Sequence, residues 1–235
     1  MDRKTVLVTG GTRGIGKAIA LRFAREGYAV AICGRDKEKI DLLVQELNQI
    51  GVPHYVASCN VRELSSIKEF FSNVVEKLNG VDVLVNNAGI FIPGKIQEED
   101  EETFTATMET NLNASYHFSR LAIPYLKQSS KGHLFNICSV ASITPYINGG
   151  SYSISKYAQL GLTKVLREEL KEDEVKVTAV LPGATLTNSW KGTELPASRF
   201  IDADSLASMV YSTYSLPREA VVEEILIRPM QGDID

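Results

Sequence analysis

Short apolar runs alternate along the chain with segments in which apolar residues recur every three or four positions. The segment 64–78 has the second pattern, which predicts an amphipathic helix. The apolar runs are nearly continuous, as is typical of parallel strands covered on both faces. The pattern predicts seven strands, at residues 5–9, 29–33, 54–59, 81–86, 133–139, 176–181 and 224–228. It predicts six helices, at residues 15–26, 37–50, 64–78, 111–127, 153–172 and 202–214.

The alternation of strand and helix predicts an α/β fold with a doubly wound sheet, because parallel strands need right-handed crossover connections. We expect a single domain over residues 1–235. Open sheets of this kind bind ligands at the carboxyl ends of their strands. The segment 188–200 follows the sixth predicted strand and has the least pattern. We interpret it as a mobile loop, within a substrate loop of about 184–202.

Composition narrows the class of protein. A chain of 235 residues with 44% hydrophobic residues can bury a full core. The net charge is −4 and there is no basic block, which argues against nucleic acid as a partner. No apolar run is long enough to span a bilayer, so we expect no membrane association and no signal peptide. Three scattered cysteines indicate free thiols in a reducing compartment, and we expect a cytoplasmic location.

Two further polar features have simple interpretations. The histidines His54, His117 and His133 are scattered, and none lies at ligand spacing from a cysteine or carboxylate. We therefore expect no metal site. The acidic run 98–102 precedes a helix, and we interpret it as a solvated N-terminus that the helix dipole favours.

Three glycines, Gly10, Gly14 and Gly16, follow the first predicted strand and open the first predicted helix. Glycine permits a tight turn there and lets backbone N–H groups approach a pyrophosphate, while the helix N-terminus adds favourable partial charge. A plain strand-to-helix turn is the alternative reading, since turns are rich in glycine. The order of strand, glycines and helix favours a nucleotide cradle.

The end of the second strand bears on the choice between NAD and NADP. An Asp or Glu there usually holds the ribose 2′-hydroxyl, but this chain has Gly34 followed by Arg35. Arg13 lies inside the glycine loop, and two guanidinium groups suit a 2′-phosphate. Both could equally be solvated surface arginines. Asp36 comes too late for the ribose and is interpreted as the N-cap of the next helix.

Two more strand ends carry candidate nucleotide contacts. Asn60 follows the third strand, and its side chain could accept from an adenine amino group, cap the next helix, or do both. The fourth strand ends in Asn86, Asn87, Ala88 and Gly89, where small residues would let the backbone lie close to the adenosine ribose. A simple turn is the alternative, because Asn and Gly favour left-handed conformations.

The candidate chemistry lies at Tyr152 and Lys156, which are four residues apart and face the same side of a predicted helix. A phenol held near an ammonium can donate a proton to a carbonyl oxygen, and we expect the ammonium to lower the pKa of the phenol. The hydroxyl of Ser139 lies thirteen residues upstream, at the end of an apolar run. Taken singly, a core tyrosine and a solvated lysine are the simpler interpretation.

Taken together, these motifs resemble the short-chain dehydrogenase/reductase family in its compact form, over almost the whole chain. The resemblance implies a Rossmann-type, mostly parallel sheet of seven strands in the order 3-2-1-4-5-6-7, with helices on both faces. The motifs that carry it are 9–16, 60–61, 86–89, Asn111, Ser139, 152–156, 182–183 and Thr187.

The resemblance also implies roles. Tyr152 would be the acid or base, Lys156 would bind the nicotinamide ribose, Ser139 would hold the carbonyl oxygen, and Asn111 would anchor a water in a proton relay. Substrate contacts would come from Ser139, Ala141, Tyr146, Tyr152 and Trp190. The implied NADP(H) site comprises Gly10, Thr12, Arg13, Gly14, Ile15, Gly16, Arg35, Asn60, Val61, Asn87, Ala88, Gly89, Tyr152, Lys156, Pro182, Gly183, Thr185 and Thr187.

The leading interpretation is an NADPH-dependent reductase of a small ketone or aldehyde. An NAD-linked alcohol dehydrogenase and a 3-oxoacyl thioester reductase are alternatives within the family. A protein that senses NADP(H) without turnover is the alternative from another class. We also expect a homotetramer or homodimer, with Ala158, Leu162, Val165, Leu166 and Glu169 as one candidate contact face.

Overall fold

Seven parallel strands form one sheet in the order β3-β2-β1-β4-β5-β6-β7, which confirms the predicted fold class and strand order. A computed structural model describes residues 4–187, 190 and 192–234. All strand pairs in it are parallel, because a helix or crossover separates each strand from the next. The strands are β1 (Thr5–Thr9), β2 (Ala29–Gly34), β3 (His54–Ser58), β4 (Val83–Asn86), β5 (His133–Ile137), β6 (Lys176–Pro182) and β7 (Glu224–Ile227).

Helices cover both faces of the sheet. Alternate strand residues point to opposite faces, so Val6 and Val8 pack on one side of β1 and Leu7 packs on the other. Phe23 and Tyr214 fill the first side, and Phe118 fills the second. The helices are α1 (Gly14–Arg25), α2 (Lys37–Ile50), α3 (Leu64–Leu78), α4 (Glu101–Met108), α5 (Ala114–Gln128), α6 (Gly150–Leu170) and α7 (Ala203–Ser215).

Helix α4 is the element that the pattern missed. It runs through the π-helical turn Glu109–Asn113 into α5. Asn111 therefore lies inside a continuous helical segment, and the prediction that it opens a helix was wrong. Residues 101–108 contain three threonines, which are weak helix formers, and their apolar stripe is poor. The side chain of Asp100 caps α4 by accepting from Thr103 N at 2.7 Å.

Several predicted boundaries shift at the strand ends. Strand β4 begins at Val83, two residues later than predicted. Strand β5 ends at Ile137, because residues 138 and 139 lead into the 3-10 turn Val140–Ser142. Helix α6 begins at Gly150, one turn earlier than predicted, so it carries more of the site than the sequence pattern indicated.

The segment after β6 returns to the sheet edge. Leu186 N donates to Ile201 O at 2.9 Å and Ile201 N donates to Ala184 O at 2.8 Å, which joins the two ends of the predicted substrate loop. Asp202 then caps α7 by accepting from Ser205 N at 2.8 Å. The predicted loop 188–200 includes Asn188, Ser189 and Lys191, which lie outside the described residues.

Candidate active site

A cavity of about 1420 Å³ opens at the carboxyl edge of the sheet, where the loops after β1 to β6 meet. This is the edge at which open α/β sheets bind ligands. Every predicted cofactor residue except Gly16 borders it. Of the other predicted site residues, Ser139, Tyr146 and Trp190 border it, whereas Asn111 and Ala141 do not.

The glycine loop lies close to the end of β4. Gly10 has φ +63°, and a Cβ added there would come within 2.9 Å of Ala88 Cα, so only glycine fits. Gly16 faces away from the cavity: a Cβ on it would lie 2.3 Å from Asn87 Nδ2. Its role is therefore close packing of α1 against the β4 end. Asn87 Nδ2 donates to Gly10 O at 3.1 Å, which ties the two loops together.

The end of β2 has room for no side chain at Gly34. A Cβ there would lie 2.4 Å from Thr12 Cγ2, because Thr12 of the glycine loop packs directly on it. Arg13 and Arg35 are both exposed and both border the cavity. Among the described residues neither guanidinium forms an ion pair. Asp36 caps α2 through Lys39 N at 3.3 Å, as the sequence predicted.

Asn60 borders the cavity but does not cap α3. Its Oδ1 accepts from Arg62 N at 3.2 Å and its Nδ2 donates to Glu63 Oε1 at 2.6 Å. The residue preceding α3 is Glu63, so the amide of Asn60 closes a turn three positions before the N-cap and does not cap the helix.

Ser139 is fixed by the turn that follows β5. Its Oγ accepts from Ala141 N at 3.1 Å, while Ser139 N donates to Ser142 Oγ at 3.3 Å. This reciprocal capping turns the Ala141 side chain inward, where it is fully buried, so Ala141 has no access to a substrate. The Ser139 hydroxyl remains within hydrogen-bonding reach of Tyr152 and lowers the pKa of that phenol.

Tyr152 lies on the first turn of α6 with its ring against Phe91, at a centroid distance of 4.9 Å. Burial raises the pKa of the Tyr152 phenol, and this outweighs the opposite effect of Ser139. The expected lowering by Lys156 was wrong for this geometry. The Lys156 ammonium lies 5.8 Å from the ring centroid and directs its hydrogen bonds elsewhere.

Lys156 is almost completely buried one turn along α6. Its Nζ donates to Ile137 O and to Gln159 Oε1, both at 2.8 Å. Burial lowers the pKa of the Lys156 ammonium to about 8, because the charged form loses hydration. Both Tyr152 and Lys156 border the cavity beside the glycine loop.

Asn111 does not border the cavity but holds a segment of its wall in place. Its Oδ1 accepts from Ile90 N at 2.8 Å, and its Nδ2 donates to Ile90 O at 3.0 Å and to Ser155 Oγ at 2.9 Å. The amide therefore clamps the segment after β4 and joins it to α6. The π-helical turn brings Asn111 into this position between two helices.

Four features of the site escaped the sequence reasoning. Phe91 lies between Ile90 and Ile92 in a short apolar segment outside the predicted strands and helices. Gln159 follows Lys156 by three positions, the spacing of neighbours on a helix face, and this signal could have revealed it. Glu99 was interpreted as solvated, but it accepts from Ser151 N at 2.8 Å. The C-terminal tail contributes Asp233 and Ile234 to the cavity wall.

The model of the family described as short chain dehydrogenase matches residues 4–196 of this chain. The chain belongs to that family. No cluster of metal-ligating side chains occurs among the described residues, and no helix in the described part of the chain is long and apolar enough to cross a bilayer. The family match and the sheet topology together make the protein an oxidoreductase of the short-chain type with a Rossmann-like fold.

Individual relatives span nearly the full chain. A sepiapterin reductase of Chlorobaculum tepidum is 31% identical, with 97% of each chain covered. A 3-oxoacyl-[acyl-carrier-protein] reductase of Staphylococcus aureus is 31% identical, covering 88% of this chain and 89% of the relative. The crystal structure of an alcohol dehydrogenase from Thermococcus sibiricus, complexed with 5-hydroxy-NADP, is 30% identical over 99% of each chain, with a TM-score of 0.92.

Proposed function

We propose that this protein is an NADPH-dependent carbonyl reductase, with Tyr152 as the group that exchanges a proton with the substrate oxygen. One observation carries the proposal: Ser139, Tyr152 and Lys156 border the same cavity as the glycine loop. A carbonyl oxygen in this part of the cavity would meet two hydroxyl donors, with an ammonium on the next helical turn. Each of these groups has a use in carbonyl reduction.

The residues present fit a dinucleotide. Helix α1 begins at Gly14 without a side-chain cap among the described residues, so its first N–H groups are available to an anion. Gly10 and Gly14 adopt positive φ angles, border the cavity and carry no side chain of their own that would extend toward a pyrophosphate. In contrast, aspartate side chains cap three other helices, at Asp36, Asp100 and Asp202.

The chemistry that a reduced nicotinamide would supply, when bound in this cavity, is a hydride for the new C–H bond. Tyr152 gives its phenolic proton to the carbonyl oxygen, and that oxygen becomes the alcohol hydroxyl. Ser139 donates to the same oxygen and stabilises the negative charge that develops on it. Because burial raises the pKa of Tyr152, the phenol stays protonated at neutral pH, as a proton donor requires. The Lys156 ammonium places a positive charge one helical turn away, 5.8 Å from the ring centroid of the phenol that loses the proton.

We infer a preference for NADPH over NADH from Arg13, Arg35 and Gly34. Two exposed guanidinium groups that pair with no carboxylate in the described part of the chain suit a 2′-phosphate. Thr12 fills the space in which an Asp side chain at position 34 would reach a ribose. The variant Arg35→Asp should shift the preference toward NADH. Arg25→Asp, at an exposed residue near the end of α1, adds the same charge elsewhere and serves as the control.

An unchanged ratio of kcat/KM values for NADPH and NADH in Arg35→Asp would favour the NAD-linked alcohol dehydrogenase instead. The kinetic parameters for both cofactors should be measured on the same protein preparation. Cofactor dissociation constants, measured by quenching of NAD(P)H fluorescence, separate lost binding from lost turnover.

We propose apolar or aromatic carbonyl compounds as the substrate class. The ring of Phe91 contacts both Tyr152 and Tyr146 on the cavity wall, and Trp190 also borders the cavity. These rings favour a flat, uncharged compound such as an aromatic aldehyde or a diketone. A 3-oxoacyl thioester is the second candidate, which the Staphylococcus aureus relative supports. A panel of both compound types, assayed with each cofactor, distinguishes them.

The proposed reaction is tested by NADPH oxidation with this panel. Tyr152→Phe removes the transferable proton and should lower kcat by about 100-fold or more, given the usual contribution of acid–base catalysis. Tyr157→Phe, at an exposed tyrosine of the same helix, is the matched control and should keep wild-type turnover. Wild-type turnover by Tyr152→Phe would refute the mechanism. NADPH binding without turnover of any compound would favour the sensor.

We also propose that the protein assembles as a homotetramer or homodimer in the cytoplasm. Of the predicted contact face, Leu166 packs in the core, whereas Val165 is exposed. The exposed side chains Ile154, Tyr157 and Val165 recur at three- to eight-residue steps along α6 and form an apolar stripe. A monomeric mass in light scattering at micromolar concentration would refute assembly through this stripe.

A further inference from the structure

Gln159 is a fully buried polar side chain that touches Lys156. It lies on α6 three positions after Lys156, with 0% of its surface exposed. Its Oε1 accepts from Lys156 Nζ at 2.8 Å, and its Nε2 donates to Ser115 Oγ at 2.9 Å. Ser115 Oγ in turn donates to Asn111 O at 3.2 Å. The amide therefore bridges Lys156 to the π-helical turn on the opposite side.

The orientation of the amide follows from its partners. An ammonium only donates, so the oxygen of Gln159 must face Lys156. The Ser115 hydroxyl uses its hydrogen on Asn111 O, so its oxygen accepts from the amide nitrogen. Burying an amide is unfavourable unless its hydrogen bonds are made, and both ends of this one are used. A residue that only filled the core would be apolar here.

We propose that Gln159 is a positioning residue for the reaction, which fixes the Lys156 ammonium in place and stabilises its charged form. An ammonium has three donors, of which Ile137 O and Gln159 Oε1 take two. The third is left for the cavity that Lys156 borders. The inference rests on the proposed reductase function, in which the charge of Lys156 assists Tyr152.

The groups that surround Lys156 explain why the amide of Gln159 matters for its charge. The titratable groups that face it in the described part of the chain are Tyr152 on α6 and Cys138 after β5, while α5 presents the neutral Ser115 and Asn111. No carboxylate among the described residues forms an ion pair with Lys156. The neutral oxygens of Ile137 and Gln159 therefore offset part of the hydration that the Lys156 ammonium loses on burial. The rest of this loss lowers the pKa of Lys156 to about 8.

The test is the pH dependence of kcat/KM for carbonyl reduction at saturating NADPH. Activity should fall as pH rises through the pKa of Lys156, since Tyr152 titrates at higher pH. Gln159→Leu removes an acceptor from the ammonium and should move this alkaline limb to lower pH by about one pH unit. Gln159→Glu places a carboxylate beside Lys156 in a nearly isosteric side chain and should move the limb to higher pH.

Two controls separate positioning from general damage. Thr178→Val disturbs buried hydrogen bonds of β6, to His133 and Val222, that involve neither Lys156 nor Gln159, and Gln45→Leu makes the same chemical change at an exposed site. Neither should move the alkaline limb. The dissociation constant of NADPH and the circular dichroism spectrum establish that each variant is folded and binds cofactor.

The opposite shifts of Gln159→Leu and Gln159→Glu constitute the expected result. If Gln159→Leu does not fold, the shift in Gln159→Glu alone decides. A wild-type alkaline limb in the folded Gln159 variants would overturn the proposal for Gln159 while leaving the reductase function intact. Absence of any carbonyl turnover by the wild-type protein would instead overturn the proposed function.

Discussion

Glu99 binds the first turn of α6 through Ser151. Oε1 of Glu99 accepts from Ser151 N at 2.8 Å, and its other oxygen accepts from the Ser151 hydroxyl. A Cβ at Gly150 would overlap this carboxylate, so glycine is needed at the start of the helix. The sequence reading treated the acidic run as a solvated N-terminus of the following helix. Asp100 fits that reading, whereas Glu99 stabilises the helix that carries Tyr152.

The first prediction concerns this carboxylate. Glu99→Ala removes the acceptor for Ser151 N and the negative charge at the helix N-terminus, and should lower the free energy of unfolding by about 1–2 kcal/mol. Glu98→Ala is the matched control, because Glu98 is exposed and forms an exposed ion pair with Lys95 at 3.3 Å. Urea unfolding of both variants measures the difference. Equal stability of the two variants would contradict the assigned contact.

The second prediction concerns the close approach of Thr12 to Gly34. Gly34→Ala places a methyl group 2.4 Å from Thr12 Cγ2 and 2.8 Å from Thr12 Oγ1. We expect it to lower the free energy of unfolding by about 1–3 kcal/mol through overpacking and to weaken NADPH binding.

The double variant Gly34→Ala with Thr12→Ala removes the two atoms that clash and should recover part of this loss. A double-mutant cycle measures the coupling, which we expect to exceed about 0.5 kcal/mol. Additive effects of the two substitutions would show that Thr12 does not restrict position 34.

A third prediction follows from the buried ring of His133. Its Nε2 lies 2.8 Å from Thr178 Oγ1, which donates its own hydrogen to Val222 O, so Nε2 of His133 carries a hydrogen and donates to Thr178. Burial, with Lys176 and Lys131 nearby, holds the pKa of His133 well below its usual range. The folded state therefore binds fewer protons than the unfolded state at mildly acidic pH. Stability is full above the unfolded pKa of about 6.5 and falls as pH decreases below it.

Urea unfolding at pH 7.5 and pH 5.5 tests this. The free energy of unfolding of the wild-type protein should fall by roughly 1 kcal/mol from pH 7.5 to pH 5.5, because the unfolded state binds up to one more proton than the folded state. His133→Gln keeps a donor for Thr178 and should lose much of this dependence. His54→Gln, at a half-buried histidine on β3, should retain it. A wild-type slope in His133→Gln would assign the acid sensitivity to other groups.

Strands and helices with a regular repeat of apolar residues were predictable from the sequence. Site residues were predictable where they lie at the end of a strand. Strand β1 and helix α3 have the predicted bounds, since their apolar positions face a core on both sides or along one stripe. The residues at the ends of β1 and β2 lie together for the same reason: parallel strands end at one edge of the sheet. The positions of Gly10 and Arg35 at the ends of two strands were therefore enough to predict that both lie at the same edge of the sheet.

Contacts between distant segments were not predictable in the same way. The inward turn of Ala141 depends on hydrogen bonds of Ser139 that no spacing reveals. The contact of Glu99 with Ser151 joins residues 52 positions apart, and the clamp of Asn111 on Ile90 depends on a π-helical turn. The direction of the pKa shift of Tyr152 also could not be predicted from the spacing of residues, because it depends on how deeply the ring is buried.

The fourth prediction concerns the buried amides between β4 and β5. Asn86 Nδ2 donates to Asn136 Oδ1 at 2.8 Å, and Asn136 Nδ2 donates to Thr163 Oγ1 at 2.8 Å. The hydroxyl of Thr163 donates to Gln159 O, so it has no hydrogen for a second acceptor. Asn136→Asp would set a carboxylate oxygen against Thr163 Oγ1, fully buried and without a cation.

Asn136→Asp should therefore lower the free energy of unfolding by about 3–5 kcal/mol at pH 7, the usual effect of an unpaired buried charge. Burial raises the folded pKa of such an Asp above its unfolded value of about 3.9, so the loss should shrink as pH falls toward that value. This is opposite in sign to the effect of His133, and the difference between variant and wild type at each pH isolates it. Asn113→Asp, at an exposed residue of the π-helical turn, is the control and should change stability little at any pH. A pH-independent loss in Asn136→Asp would indicate that the variant relaxes to hydrate the carboxylate.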